Sequence, residues 1–193
     1  MSSPDVFEDP PVLRTGRLVL RPVSDSDGEG LFRIFASDEV TEFYGWDTFT
    51  DVRQGHELAA WTAGQFRRRE GIRWGLTLPG VPDIIGTCGY TRWNRENHFA
   101  VLGYDLARPW WGRGLMSEAV GAVLHAGFGR MALHRVEATV MVGNTASEAV
   151  LIRAGFQREG MLRGRVLKRG AFRDVHIFGI TCSDGPETKP ASS

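Results

Sequence analysis

Hydrophobic and polar positions change their period several times along the chain, and each change marks an element. "RLVLRPV" (17–23) alternates apolar and charged residues, as a strand with one wet face does. "SDSD" (24–27) supplies helix-capping side chains, and the pattern predicts a short helix to about Ser37, with Gly28 and Gly30 near its start. "DEVTEFYGWDTFTD" (38–51) is an aromatic-rich connection. Its Phe43, Tyr44, Trp46 and Phe49 either wall a pocket or form a second small core. From Asp51 to about Glu70, Leu58, Trp61, Thr62, Gln65 and Phe66 recur at helical spacing.

The middle of the chain switches to strands. "IRWGLTL" (72–78), "DIIGTCGYTRW" (83–93) and "HFAVLGYDLA" (98–107) are separated by the turn sequences "PGVP" and "NREN", which predicts an antiparallel meander. Residues 115–129 then place Met116, Val120, Val123 and Gly127 on one helical face. "HRVEATVMV" (134–142) is a strand, 145–154 a short helix, and Gly155 its stop. "FQREGMLRGRVL" and "FRDVHIFGI" (172–180) close the chain as a strand pair around "KRGA". The order is β-α-α-β-β-β-α-β-α-β-β, and the strand–helix–strand unit over 98–142 suits parallel pairing. This predicts an α/β (α+β mixed) fold with a mostly antiparallel central sheet, and not a doubly wound one. Residues 15–181 form the expected domain, after a loose Pro- and Asp-rich segment over 1–14 and before a flexible polar tail over 182–193.

Composition narrows the function classes. The chain has 193 residues, 42% apolar and 24% charged, with zero formal net charge, so nothing sequence-wide points to nucleic acid or an anionic membrane. The basic run "RRREGIR" (67–73) reads as a solvated helix end. No apolar run approaches the ~20 residues that span a bilayer. "MSSPDVFEDPP" lacks the basic and apolar regions of a signal peptide. Cys88 and Cys182 have no CxxC neighbour and the histidines no HExxH spacing, so no metal is expected and a cytoplasmic location fits.

The chemistry concentrates in "PWWGRGLMSEA" (109–119). At a strand-to-helix turn the first helical N–H groups lack partners, and with the helix dipole they can hold an anion. Gly112 and Gly114 would let a ligand approach the backbone; the alternative is that they only make a tight turn. No Lys-Ser or Lys-Thr follows, so this is not a Walker A loop. Ser117 stands where a dinucleotide fingerprint needs its third glycine. A pyrophosphate held by the turn is the reading that remains.

"ARPWWGRGLMSEAV" (107–120) resembles the acetyl-CoA-dependent GNAT acetyltransferases. Their motif Arg/Gln-x-x-Gly-x-Gly/Ala aligns on Trp111 to Met116. Trp111 in the lead is similar to the RimJ/RimL branch, which acetylates ribosomal-protein N-termini, and Met116 replaces a small residue and would tighten the room over the pyrophosphate. "TGRLVLRPVSDSD" (15–27), "LGYDLARPWWGRG" (102–114) and "NTASEAVLIRAGFQREG" (144–160) extend the resemblance over about residues 14–181.

The resemblance implies a GNAT fold whose sheet splays between the strands 98–106 and 134–142, flanked by about four helices. It implies acetyl-CoA bound by Leu102, Gly103, Tyr104 and Leu106 on the strand. At the turn and helix start it implies Trp111, Gly112, Arg113, Gly114, Leu115, Met116 and Ser117. Asn144, Ser147 and Arg153 complete the set. It makes Ser147 the donor to the departing thiolate, since no tyrosine follows Tyr104. Thr145-x-x-Glu148 is also a capping box and Asn144 a good N-cap, so a purely structural role stays open. For the base, the branch's usual strand acid is replaced by Val101. Glu118, Glu42, Glu96, His98 and Asp105 are the candidates, with Glu118 also suited to the helix dipole. The expected activity is acetyl transfer to a primary amine, with a protein N-terminal α-amine as acceptor. A small amine such as a polyamine or aminoglycoside, or CoA binding without turnover, are the alternatives. A homodimer is compatible with the resemblance.

Overall fold

A computed structural model describes residues 6–184. Its elements in chain order are β1 (Leu13–Arg14), β2 (Val19–Pro22), α1 (Gly28–Phe35), α2 (Asp38–Thr41), α3 (Val52–Arg67), β3 (Ile72–Thr77), β4 (Gly86–Asn94), β5 (Phe99–Leu106), α4 (Leu115–Gly129), β6 (Arg135–Met141), α5 (Thr145–Arg153), β7 (Gln157–Lys168) and β8 (Ala171–Thr181). They build one sheet in the order β1-β2-β3-β4-β5-β6-β8-β7, antiparallel except at β5–β6. The mixed fold with a mostly antiparallel sheet is therefore the one the pattern predicts.

Alternation along the strands divides the sheet into two unlike faces. Leu20, Trp74, Leu76, Cys88, Tyr90 and Leu102 are buried against α4, whose inward stripe includes Met116, Ala119, Val120 and Val123. The opposite face carries Arg73, Thr87 and Asp105, and α1 and α3 cover it. Those two helices approach closely because glycines meet: a Cβ on Gly55 would lie 2.2 Å from the Gly28 carbonyl. Of the series expected on α3, Trp61 is 51% exposed, whereas Thr62 is buried with Gly55, Ala59 and Ala63, and Leu58 and Phe66 pack against the core.

Two expectations need correction. The segment 1–14 is not loose from Val6 onward: Val6 is buried, Phe7 stacks on Trp93 at 5.4 Å, and the Trp74 indole donates to the Pro11 carbonyl at 2.8 Å. Too few apolar residues stand here for a period to show; long-range aromatic contacts hold the segment. Residues 1–5 lie outside the described ones. The connection 38–51 contains the one-turn helix α2, and its aromatics pack on Phe35, with Tyr44 edge-on at 5.2 Å. In the tail, Cys182–Asp184 form a turn closed by Asp184 bonding back to Thr181, and residues 185–193 lie outside the described ones.

The parallel pair β5–β6 sets up the site. It pairs only Phe99–Val101 with Arg135–Glu137, after which the two strands separate while β6 stays paired to β8 along its length. Upstream, β4–β5 carries a register shift between Tyr90 and Arg92, a bulge that increases local twist.

Candidate active site

The gap between β5 and β6 exposes one backbone edge. The Ala107 N–H donates to Ile85 on the β4 side, so by alternation Tyr104 and Leu106 turn their backbone groups toward the gap. Two side chains meet the carbonyls there. The Tyr44 hydroxyl donates to the Tyr104 carbonyl at 2.8 Å, and the Trp111 indole N–H donates to the Leu106 carbonyl at 2.6 Å. The N–H groups of Tyr104 and Leu106 face the same gap, with no strand paired to them.

A cavity of about 480 Å³ fills this gap, between the α2 segment, the α4 N-terminus and α5. Gly112 and Gly114 both have left-handed backbone (φ 72° and 73°). A Cβ on Gly112 would meet nothing within 4 Å, and Gly114 is the N-cap of α4, with no side-chain capping hydrogen bond. The first-turn N–H groups of α4 thus open into the cavity, and a diphosphate fits this cradle by charge and by space.

Of the residues expected to hold the ligand, Tyr104, Leu106, Trp111, Gly112, Gly114, Leu115, Met116, Ser117, Asn144, Ser147 and Arg153 line the cavity. Leu102 and Gly103 do not: Leu102 is buried in the core, and Gly103 faces the Arg73 guanidinium on the other face of the sheet. Arg113 does not either: its guanidinium stacks over Trp110 at 5.0 Å and its carbonyl accepts from Arg17. Met116 is mostly buried in the core, with 7% exposure, so little of it stands over the turn. Arg153 reaches the first turn of α4, where it donates to Ser117 Oγ at 3.5 Å. The Trp111 indole N–H is committed to the strand carbonyl, so a ligand meets the ring rather than the N–H.

Glu118 is the clearest correction. It is absent from the cavity wall and is bound by Arg17, through the Arg17 backbone N–H at 2.8 Å and a guanidinium nitrogen at 2.6 Å. Burial works to raise its pKa, but hydrogen bonds from Thr15 and Arg17 outweigh that and hold the carboxyl below its ordinary value. A carboxylate so tied is a structural link between β1–β2 and α4, not a base facing a substrate. Among the other candidates, His98 and Glu96 lie outside the cavity and Glu42 lies in its wall. Asp105 also reaches the wall, but it is bound by Arg73 Nη2 (2.7 Å), Thr87 N–H (3.0 Å) and Thr87 Oγ1 (2.6 Å).

On the α5 side, Asn144 Oδ1 accepts from the Ser147 N–H at 3.1 Å and caps the helix. The capping box expected between Thr145 and Glu148 does not form; Glu148 pairs with His176 Nδ1 at 2.6 Å instead. The Ser147 hydroxyl faces Tyr104, with 2.7 Å between the two oxygens, and the Tyr104 hydroxyl also donates to the Ser147 carbonyl at 3.1 Å. Burial raises the Tyr104 phenol well above its ordinary pKa, against a smaller opposing effect of the Ser147 hydrogen bond. Its side chain was not foreseen as part of the site, because 43 residues separate the pair. Phe43 and Tyr44 complete the wall from the aromatic connection.

Residues 17–157 match the acetyltransferase (GNAT) domain family. The chain belongs to the GNAT family. This GNAT protein is 34% identical to the uncharacterized N-acetyltransferase YoaA of Bacillus subtilis, over 88% of this chain and 96% of that one. It is 30% identical to the [Ribosomal protein uS5]-alanine N-acetyltransferase of Escherichia coli, over 89% of this chain and 91% of that one. Among solved structures, RimJ of Mycobacterium smegmatis in complex with CoA-disulfide is similar at a TM-score of 0.76. It shares 28% identity, covering 88% of this chain and 84% of that one. The protein is an acetyl-CoA-dependent N-acetyltransferase. No helix of its described residues is long and apolar enough to cross a membrane.

Proposed function

We propose that this GNAT enzyme acetylates the N-terminal α-amine of a protein, with the Tyr104–Ser147 pair protonating the departing thiolate. The observation that carries the reading is the placement of that pair. Its hydroxyls line the same cavity as the glycine turn and the open edge of β5. The α4 N-terminus, Gly112, Gly114, Ser117 and Arg153 would hold the phosphates of acetyl-CoA, and the N–H groups of Tyr104 and Leu106 its extended arm. Bound acetyl-CoA supplies the thioester that is transferred. Ser147 donates its proton to the sulfur as the C–S bond breaks, Tyr104 passes its own proton to Ser147, and Tyr104 regains one from solvent once CoA leaves. The new C–N bond releases one proton from the amine.

Glu42 accepts that proton in this scheme. Its carboxylate lines the cavity and, among the described residues, makes neither a hydrogen bond nor an ion pair. Glu39, the other acid from α2, is paired with Arg108 at 3.5 Å. An α-amine, with a pKa near 8, needs only a weak base; a lysine-type amine near 10.4 needs more help. The relative that acts on the alanine of a ribosomal protein supports the same acceptor class.

Thiol release from acetyl-CoA with a panel of peptides, polyamines and aminoglycosides tests the reading. Acceptance of peptides and rejection of the small polycations is the expected result. Preference for a polyamine or aminoglycoside would move the acceptor to the small amines, and CoA binding without thiol release would refute the catalytic scheme.

A further inference from the structure

On the other face of β5 lies a second cavity, of about 270 Å³, between the sheet and the helices α1 and α3. Its wall is apolar, with Leu31, Phe35 and Leu58. Its rim carries the indoles of Trp46 and Trp61, which are 42% and 51% exposed. Its floor is polar and is built from Arg73, Thr87, Thr91 and Asp105. Asp105, next to Tyr104 on β5, lines both cavities.

The guanidinium on the floor, which the Tyr44 hydroxyl also approaches, has a nitrogen left over from its two hydrogen bonds. Arg73 donates from Nε to Thr87 Oγ1 at 2.6 Å and from Nη2 to Asp105 Oδ2 at 2.7 Å. Nη1 makes neither bond and lies over Gly103, where a Cβ would stand 3.0 Å from it. The Arg73 side chain lines this cavity and keeps 16% exposure. A guanidinium only donates, so what meets it must be an oxygen: a carbonyl or a carboxylate.

The geometry points to a specific acceptor class: an α-aminoacyl unit with a large apolar side chain, seated in this second cavity. The carbonyl accepts from Arg73 Nη1, the side chain lies among Phe35, Leu58 and the two indoles, and the amine reaches the border at Asp105. This inference rests on the proposed transfer to an α-amine and adds the identity of the first residue. The cavity is smaller than the roughly 300 Å³ at the lower end of drug-sized sites, so it suits one side chain and not an aminoglycoside. A polyamine would bring a second cation toward Arg73 and leave Nη1 without an acceptor.

The test compares kcat/KM, read by thiol release, for otherwise identical peptides beginning with Phe, Leu or Ala. Phenylalanine amide, free phenylalanine, phenethylamine and spermidine complete the panel. We expect Phe- and Leu-first peptides to exceed Ala-first by tenfold or more, the scale on which an apolar pocket discriminates. Phenethylamine, which lacks the carbonyl, is expected at least 100-fold below phenylalanine amide. Comparison of free phenylalanine with the peptide tells whether a carboxylate or a peptide carbonyl is the natural partner of Arg73. Trp61→Ala, at a half-exposed helix position, should cut the Phe-to-Ala preference about tenfold, and Trp46→Ala gives a second, independent reading. Ala-first peptides equal to or better than Phe-first, or phenethylamine equal to the amide, would overturn the subsite while leaving α-amine transfer standing. An unchanged preference in both tryptophan variants would overturn it as well. No thiol release from any member, with CoA still bound, would overturn the transfer reading itself.

Discussion

Tyr104 and Ser147 face one another with 2.7 Å between their hydroxyl oxygens, joining the open edge of β5 to the first turn of α5. Each of these elements packs on α4, so the pair is set by three elements at once. If Ser147 supplies the proton to the thiolate, Ser147→Ala should lower kcat about 100-fold, the lower end for general acid catalysis. Affinity for CoA, read by calorimetry, should stay within about threefold. Tyr104→Phe should lower kcat about tenfold, and the double variant should be no slower than Ser147→Ala, because groups acting as a unit are not additive. Wild-type activity in Ser147→Ala would remove the pair from the chemistry.

The raised pKa of Tyr104 has a visible pH consequence. Its phenol keeps its proton beyond the ordinary value of 10, so it contributes no alkaline fall in kcat below about pH 10. A kcat profile that descends between pH 8 and 9 in wild type, and no longer does so in Tyr104→Phe, would contradict this.

Glu42→Gln should lower kcat/KM about 100-fold near neutral pH and recover part of the loss at higher pH, where the α-amine is already neutral. A pH-independent loss, or none, would assign the proton to water instead.

Gly112 has left-handed backbone with open space around its missing Cβ. Gly112→Ala should therefore cost about 1 kcal/mol in stability from the backbone alone. Affinity for CoA should fall tenfold or more, because the methyl group projects where the phosphates would lie. Equal affinity would show that the turn is only a turn.

Asp27 sits 6% exposed at the start of α1 and pairs with Arg21 at 2.6 Å. Burial works to raise its pKa, but Arg21 and the Ser24 N–H outweigh it, and the folded value is depressed. A depressed carboxylate stabilises the fold above its unfolded pKa and loses that contribution as pH falls through its folded value. Denaturant unfolding should find Asp27→Asn less stable by about 2 kcal/mol at pH 7. The difference should shrink below about pH 4; a constant difference down to pH 2 would contradict it.

Much of the fold was legible from periodicity, since strands and helices bury one face and the alternation of "RLVLRPV" or the stripe of α4 records which. The glycine turn was legible too: left-handed backbone at 112 and 114 is a local property that residue type alone announces. What the chain order could not contain is which distant side chains arrive at the open edge of β5. The commitment of Glu118 to Arg17 spans 101 residues, the capping of the Tyr104 carbonyl by Tyr44 spans 60, and the ion pair of Arg73 with Asp105 spans 32. Each depends on strand order and twist, which bring together groups whose local sequence shows only a polar or aromatic residue. Thus the sequence by itself determined most of the elements, the glycine turn and the family. The tertiary structure decided which acids are tied, which is open, and where a second cavity lies, because hydrogen bonding and burial are settled by three-dimensional neighbours and not by position along the chain.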